Sequence, residues 1–371
     1  MILKKISIFI TLLLLFNTVF AIEYRRQFQD YRSLGMGNTG IASANNSATL
    51  FYNPAALANI TEGWIDLAAV QAIYSPEAQA IYEEVQTGSF LETTEDQLAF
   101  MEEYMGKKIY VQVDAGINAF INLDKKGVTV GGNYMVERIL DFDIQNPALP
   151  EIVGFERYDQ IKLGGFSYPI GLGQFVLGLS YKNVIRKERS YTFTTTQALA
   201  GEEFPTIQLT DVADGSADTG GGYEVGFLFR FASPYRVVLG GVWRSGIDMD
   251  GATPIESETA LGVTMAHEFG PFKWVMAIDA RDLTQKQGSE GDESWARRVH
   301  AGMEFAAFPT SDLNYLLTVR GGYNQGYRSL GGEFRIGNSL VVGVAQYSEE
   351  VGEFAGEKES KRTAVYASIG F

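Results

Sequence analysis

Apolar and polar residues alternate with a period of two over much of the chain, the pattern of a strand whose successive side chains point to opposite faces. In "FKWVMAIDARD", Phe272, Trp274, Met276, Ile278 and Ala280 share one face, and Lys273, Val275, Ala277, Asp279 and Arg281 share the other. Val299, Ala301, Met303, Phe305 and Ala307 oppose Arg298, His300, Gly302, Glu304 and Ala306 in the same way. Leu313, Tyr315, Leu317, Val319 and Tyr323 likewise oppose Asn314, Thr318, Arg320 and Gly322. The pattern predicts fourteen strands, near 63–75, 109–123, 127–140, 156–168, 174–189, 220–231, 235–245, 257–268, 272–283, 295–307, 313–324, 328–336, 339–348 and 362–371. An even number of strands, each with one apolar and one mixed, charged face, predicts an all-β fold: a closed transmembrane antiparallel β-barrel.

The connections fall into two alternating populations. Brief turns are expected at Asp124 to Gly127, around Pro169 to Gly173, at Ser233-Pro234, at Gly270-Pro271, around Pro309 to Asp312 and at Gly337-Asn338. Long polar loops are expected at about 76–108, 141–155, 190–219, 246–256, 284–294 and 349–361. Short turns at one rim and long loops at the other are the mark of an outer-membrane barrel. The link from Asn324 to Tyr327 is short where a long one is due, which predicts a low hairpin at the loop rim.

Composition and the chain ends narrow the class. Lys4 and Lys5 precede the apolar run "ISIFITLLLLFNTVFA", which ends on the small residue Ala21, so residues 1–21 read as a secretory signal peptide and the mature chain starts near Ile22. No later apolar run approaches the length of a transmembrane helix, which excludes a helical membrane protein. Without the signal the chain has 28 basic against 45 acidic residues, a net charge of −17, so nucleic acid is excluded as a partner. The absence of cysteine excludes disulfides, thiolate metal sites and thiol nucleophiles. At the other end "RTAVYASIGF" places Val365, Ala367, Ile369 and Phe371 on one apolar face and ends on an aromatic residue. That ending resembles the C-terminal assembly signal of outer-membrane barrels.

Near the mature N-terminus, "SLGMGNTGIASANNSATLFYNPAAL" spaces Gly35, Gly37 and Gly40 as G-x-G-x-x-G. That spacing marks a dinucleotide loop only if a strand leads in, a helix leads out and an acidic residue follows about 20 residues on. The preceding "IEYRRQFQDYRSL" is too polar for a buried strand, and Asn53-Pro54 disfavours a continuing helix. Glu62 stands at a suitable distance but is weak support alone. The glycines instead suit close approach to a barrel wall, and Asn45, Asn46 and Asn53 suit hydrogen bonding to backbone enclosed by it.

The stretch from Gly35 to Ile60, with "SANNSA" from Ser43 to Ala48 and Asn53-Pro54-Ala55, resembles the N-terminal segment of the FadL/TodX family of outer-membrane transporters. "GYNQGYRSLGGEFRIG" and "YSEEVG" resemble further elements of FadL-like proteins. The resemblance implies a fourteen-stranded barrel, residues 61–371, plugged by an N-terminal hatch of residues 22–60 that carries Gly35, Gly37, Gly40, Asn46, Asn53, Pro54 and Ala55. It implies a monomer in the bacterial outer membrane, in contact with outer-membrane lipid, that takes up a hydrophobic small molecule such as a long-chain fatty acid and releases it through a gap in the wall. Gly131-Gly132 on the third strand could kink it, or relieve crowding in the lumen. The same N-terminal motif occurs in PorV-like barrels, which act as protein-interaction or secretion platforms, and an ungated porin is a third reading.

Strand phase places Glu224, Arg230, Arg244, Asp279, Arg281, Arg298, His300, Glu304, Arg320, Glu333 and Arg335 in the lumen. Arg230, Arg244, Arg281 and Arg320 are candidate ligand-path residues because a guanidinium fork grips a carboxylate. The alternative is that they pair with the neighbouring acids and hold the hatch. Catalysis, cofactors and metals are not expected: the only histidines are His267 and His300, and no metalloprotease or serine-hydrolase spacing occurs. Within "SFLETTEDQLAFMEEYMG", Thr94 can cap a helix with Leu98, Met101 and Met105 along one side, either to capture a greasy ligand or to pack on neighbouring loops.

Overall fold

The structure is a computed structural model that describes residues 27–60, 63–86, 93–123, 128–146, 148–202, 217–286, 294–310, 314–336, 339–352 and 354–370. The signal peptide, the turns at 124–127 and 337–338, and Phe371 lie outside the described residues. Fourteen antiparallel strands form one closed barrel: β1 (Trp64–Tyr74), β2 (Lys108–Asn122), β3 (Thr129–Gln145), β4 (Glu151–Ile170), β5 (Phe175–Thr194), β6 (Asp218–Arg230), β7 (Val238–Arg244), β8 (Glu258–Phe269), β9 (Phe272–Ala280), β10 (Val299–Pro309), β11 (Tyr315–Asn324), β12 (Tyr327–Ile336), β13 (Leu340–Glu350) and β14 (Glu359–Gly370). Each strand pairs with its sequence neighbour, and β14 pairs with β1 to close the ring. Closure leaves no exposed strand edge, which a sheet spanning a membrane requires.

The alternation read from sequence is realised as two faces. On β2, Val113, Ile117 and Ile121 point out and are exposed, while Gln112, Asp114, Asn118 and Phe120 point in and are buried. Near the turn end the outer face carries an aromatic girdle that includes Tyr168, Phe229, Phe231, Tyr235, Phe269, Trp274 and Phe305. His267 belongs to it, packed among Tyr235, Phe269 and Trp274.

Several boundaries differ from the sequence reading. The long loop expected at 141–155 is instead the tip of a β3–β4 hairpin whose strands run on to Gln145 and from Glu151. β5 runs on to Thr194 and β14 starts at Glu359, so the loops expected at 190–219 and 349–361 are also shorter. The extensions still carry apolar residues, Phe142, Ile144, Ile152 and Phe193, which pack with Met101 of the first long loop rather than standing exposed like those of the lower strands. β10 begins only at Val299, because Trp295–Arg297 is a 3-10 turn capped by the Ser294 side chain. The helix in the first long loop spans Thr94–Glu103, with Thr93 rather than Thr94 as its cap, in a capping box with Asp96. Met101 of this helix is buried, and Met105 just beyond its end half-buried, against Ile109, Ile144, Ile152 and Phe193 of β2 to β5, so both pack on the loop rim.

The short link between β11 and β12 is a two-residue turn with Gln325 and Gly326 both at positive φ (50° and 96°). It is low because β13 covers it: Asn324 Nδ2 donates to Ser348 O at 2.7 Å, and Glu350 N donates to Gln325 Oε1 at 2.8 Å.

Residues 27–60 lie inside the barrel. They carry a short helix α1 (Tyr31–Gly35), a single helical turn α2 (Thr49–Tyr52) and a 3-10 turn at Pro54–Asn59. Leu34, Met36, Ile41, Leu50, Leu57 and Ile60 are all fully buried. On one side Leu50 to Leu57 pack on Phe120, Met135, Ile161, Leu163, Val176, Val184 and Leu228 of β2 to β6. On the other side α1 meets β11 to β14, where Tyr31 stacks on Tyr366 with ring centroids 4.3 Å apart.

Candidate functional site

The lumen segment is seated by hydrogen bonds and by glycines on both partners. Asp30 caps α1, accepting from Ser33 N at 3.3 Å and from Asn46 Nδ2 at 3.0 Å. Burial pushes its carboxyl above the usual aspartate range, although Asn46 and Arg32 oppose the shift. Gly35 faces Gly331 of β12 so closely that a Cβ would stand 3.1 Å from the Gly331 Cα. Gly37 has φ +67°, and a Cβ there would lie 2.3 Å from Ala301 O. Its carbonyl lies 3.0 Å from Nδ1 of His300, which places that histidine in the seat. At Gly40 a Cβ would fall 2.2 Å from the Tyr52 ring, and the amides of Gly40 and Ile41 both donate to Asp279, at 2.7 and 3.0 Å.

Asn53, Pro54 and Ala55 form the second anchor. The Asn53 side chain accepts from Ala55 N at 3.0 Å to cap the 3-10 turn, with Pro54 at its first position. Its Nδ2 donates to Ile41 O at 2.8 Å and to Phe227 O of the wall at 3.2 Å. The facing wall residues are glycines because nothing larger fits: a Cβ on Gly226 would stand 1.9 Å from Asn53 Oδ1, and one on Gly178 would stand 2.0 Å from Ala55 N.

All four candidate arginines point into the lumen and are engaged. Arg320 bridges Glu304 at 2.8 Å and Glu333 at 2.6 Å. Arg244 pairs with Glu258 and donates to the Phe51 and Tyr52 carbonyls, while Arg281 lies 3.3 Å from Glu258 and over the Tyr52 ring. Arg230 donates to Ala58 O at 3.0 Å and Asn59 Oδ1 at 3.1 Å. All four thus touch residues 27–60 by hydrogen bonds or over a ring, Arg320 lying over the Tyr31 ring. Arg320 reaches the same segment through Glu304, which also takes Arg32 at 2.9 Å, and through Glu333, which accepts from the Tyr31 hydroxyl at 2.7 Å.

The sequence reading passed over a second charged belt on β2 to β5. Arg157 donates to Glu137 at 2.6 Å, Arg186 grips both oxygens of Asp159 at 2.8 and 2.7 Å, and Gln112 bridges Asp114 to Glu137. On β4 the outward residues Tyr158, Gln160 and Lys162 are as polar as the inward Arg157 and Asp159, so phase could not be read there. Length of strand was the usable signal: twenty residues exceed what the apolar belt needs.

An apolar groove of about 680 Å³ lies on the outer face of β1 to β5. Ile65, Leu67, Ile117, Ala119 and Gly164 give it apolar surface, and Tyr134, Lys162, Tyr181 and Asn183 give it polar groups. Lys162 makes no ion pair among the described residues, a costly placement on a face that otherwise meets hydrocarbon. On the lumen side lies a small cavity of about 50 Å³ lined by Tyr31, Asn46, Ser47, Trp64 and Arg335, among others.

No protein-family model matches the chain, and no curated protein matches it in sequence. Solved structures do. The deltaS2S3 mutant of the TodX monoaromatic hydrocarbon channel superposes with a TM-score of 0.53 at 13% identity, over 95% of this chain and 99% of that one. The deltaS2 mutant of the same channel gives 0.52 at 13%, over 92% and 97%. A FadL homologue from Pseudomonas aeruginosa gives 0.50 at 12%, over 94% and 99%. Strand count, closure and these superpositions agree: the chain has the fold of the FadL/TodX-type outer-membrane barrels.

Proposed function

We propose that the chain is a monomeric barrel of the bacterial outer membrane that passes a hydrophobic small molecule inward without an energy source, long-chain fatty acids being one class it would accept. The observation that carries this reading is the pairing of a filled lumen with an apolar groove in the outer wall. An open porin needs a water-filled passage, whereas here residues 27–60 fill the lumen. A route for apolar molecules needs only a path from the loop end to the hydrocarbon, and the groove on β1 to β5 supplies its last step. Residues 22–60 act as the hatch in this reading. When it shifts, Arg244 and Arg281 lose Phe51, Tyr52 and Asn38 and become available to a carboxylate head group. The similarity to hydrocarbon channels supports transport over catalysis.

The test is mass spectrometry of small molecules extracted from the folded, detergent-purified barrel, beside a copy lacking residues 22–60. Fatty acids or other apolar compounds enriched in the intact protein and lost with the hatch support the reading. An empty barrel that co-purifies with a stoichiometric protein partner would replace it with the PorV-like platform. Should the deletion fail to assemble, a Gly178→Ala barrel, which keeps every strand, serves in its place.

A further inference from the structure

Charge on the outer face of a membrane barrel is costly at mid-depth and cheap only near the head groups. On the outer face of β3 to β5 it is concentrated in one window. Between Tyr134 and Leu140 on β3, and at the positions paired with them on β4 and β5, the outward residues include Arg138, Lys162, Lys187 and Arg189 against a single carboxylate, Glu156. This basic patch stands on a chain whose formal net charge is −15. Arg138 takes the one carboxylate, donating to the same oxygen from Nε at 3.1 Å and Nη2 at 2.6 Å. Lys162, Lys187 and Arg189 make no ion pair among the described residues, and Arg189 has only the Tyr191 ring at 5.8 Å.

The window is bounded on both sides. Toward the turns the same face exposes Tyr134, Phe166 and Tyr181. Toward the loops Phe142, Ile144 and Ile152 of that face are packed with Met101 of the helix Thr94–Glu103. The cations therefore stand at an interface, with apolar surface below and a folded loop above.

The groove climbs toward them. Ile65 is the second residue of β1, whereas Lys162 lies eight residues before Ile170, the turn end of β4, and Asn183 eight residues after Phe175, the turn end of β5. Its apolar lining thus rises to an unpaired ammonium. Lys187 pairs with Tyr158, which is four residues along β4 from Lys162 on the same face, about 13 Å at the rise of a strand.

We propose that the outer face of β3 to β5 is a binding site for a lipid bearing two phosphates in the leaflet on the loop side. One phosphate sits at Lys162 and the other at Lys187 and Arg189, with an acyl chain along the groove. Cations that have no carboxylate of their own are free to form charge-assisted hydrogen bonds with phosphate oxygens. The site does not depend on the route proposed for apolar molecules.

The test titrates bis-phosphorylated lipid A into the detergent-purified barrel, beside the same lipid stripped of phosphate, and counts bound lipid by native mass spectrometry. The parent is expected to bind the phosphorylated form about a hundredfold more tightly, from about fivefold per cation. A barrel carrying Lys162→Gln, Lys187→Gln and Arg189→Gln loses that preference. One carrying Arg328→Gln and Lys361→Gln, outward cations of β12 and β14, keeps it. Heat-modifiable gel mobility certifies that each barrel is folded, and the two lipids on the parent alone decide the matter if the triple variant does not assemble. Equal affinity of the parent for both lipids overturns the site. So does a folded triple variant that keeps the preference, or a folded β12–β14 variant that loses it.

Discussion

Replacing Gly178 by alanine adds one methyl group to the inner wall of β5, directly under the second anchor. The new Cβ would lie 2.0 Å from Ala55 N, 2.3 Å from Pro54 C and 2.5 Å from the Ala55 Cα. All three are backbone atoms, so no side chain can swing aside, and the 3-10 turn must move off the wall by more than an ångström to restore van der Waals contact. Overpacking of this kind costs about 1–3 kcal/mol. The strand loses nothing in exchange, since alanine is at least as well tolerated as glycine in a strand interior. The cost therefore falls on the seating of Asn53 to Asn59, and the barrel stays intact. Hydrogen exchange by mass spectrometry is expected to show about tenfold lower protection across that segment, the factor that 1.4 kcal/mol represents, with strand protection unchanged. Gly164→Ala supplies the contrast, because a Cβ there meets nothing within 4 Å. Equal protection of the turn in Gly178→Ala, Gly164→Ala and the parent would refute the argument that the wall glycines are seats.

Further outcomes follow from the charged seat. Glu304→Ala leaves the buried Arg32 and Arg320 short of a shared carboxylate and is expected to lower barrel stability by about 3–5 kcal/mol in urea titration. Gly40→Ala forces Tyr52 from its place beside the Asn38 side chain, so near-ultraviolet circular dichroism should change while the far-ultraviolet spectrum does not. For Asp30 the folded pKa lies above the ordinary 3.8, so the folded state holds its proton longer than the unfolded chain does. Its contribution is then greatest below 3.8 and is lost as pH rises through the folded value. The stability of the parent relative to Asp30→Asn should accordingly rise on acidification toward pH 4 in matched chemical denaturation, and a fall would contradict the assigned burial.

Strand count and phase were legible because a wall between lipid and a charged lumen forces clean alternation, as in Met276 and Ile278 outside against Val275 and Asp279 inside. The tops of β3 to β5 were not, because Arg138 and Glu156 pair on the outer side while Arg157 and Glu137 pair on the inner side, and charge on both faces erases the period. Gly37 and Gly40 stood out through their spacing, yet the residues that receive them, Ala301, Tyr323 and Asp279, lie more than 200 positions away and carry no local signal. The groove was illegible for a related reason. Its lining includes Asn118 and Asn133 on neighbouring strands, and an asparagine facing the lumen looks the same in sequence whether it lines water or hydrogen-bonds an adjacent strand.

The stacking of Tyr31 on Tyr366 brings the first described helix against the final strand, which is itself hydrogen-bonded to β1. The first described helix and the final strand therefore share one contact surface at the seam. Ring closure and docking of the lumen segment are thermodynamically coupled, so a lesion in either weakens the other.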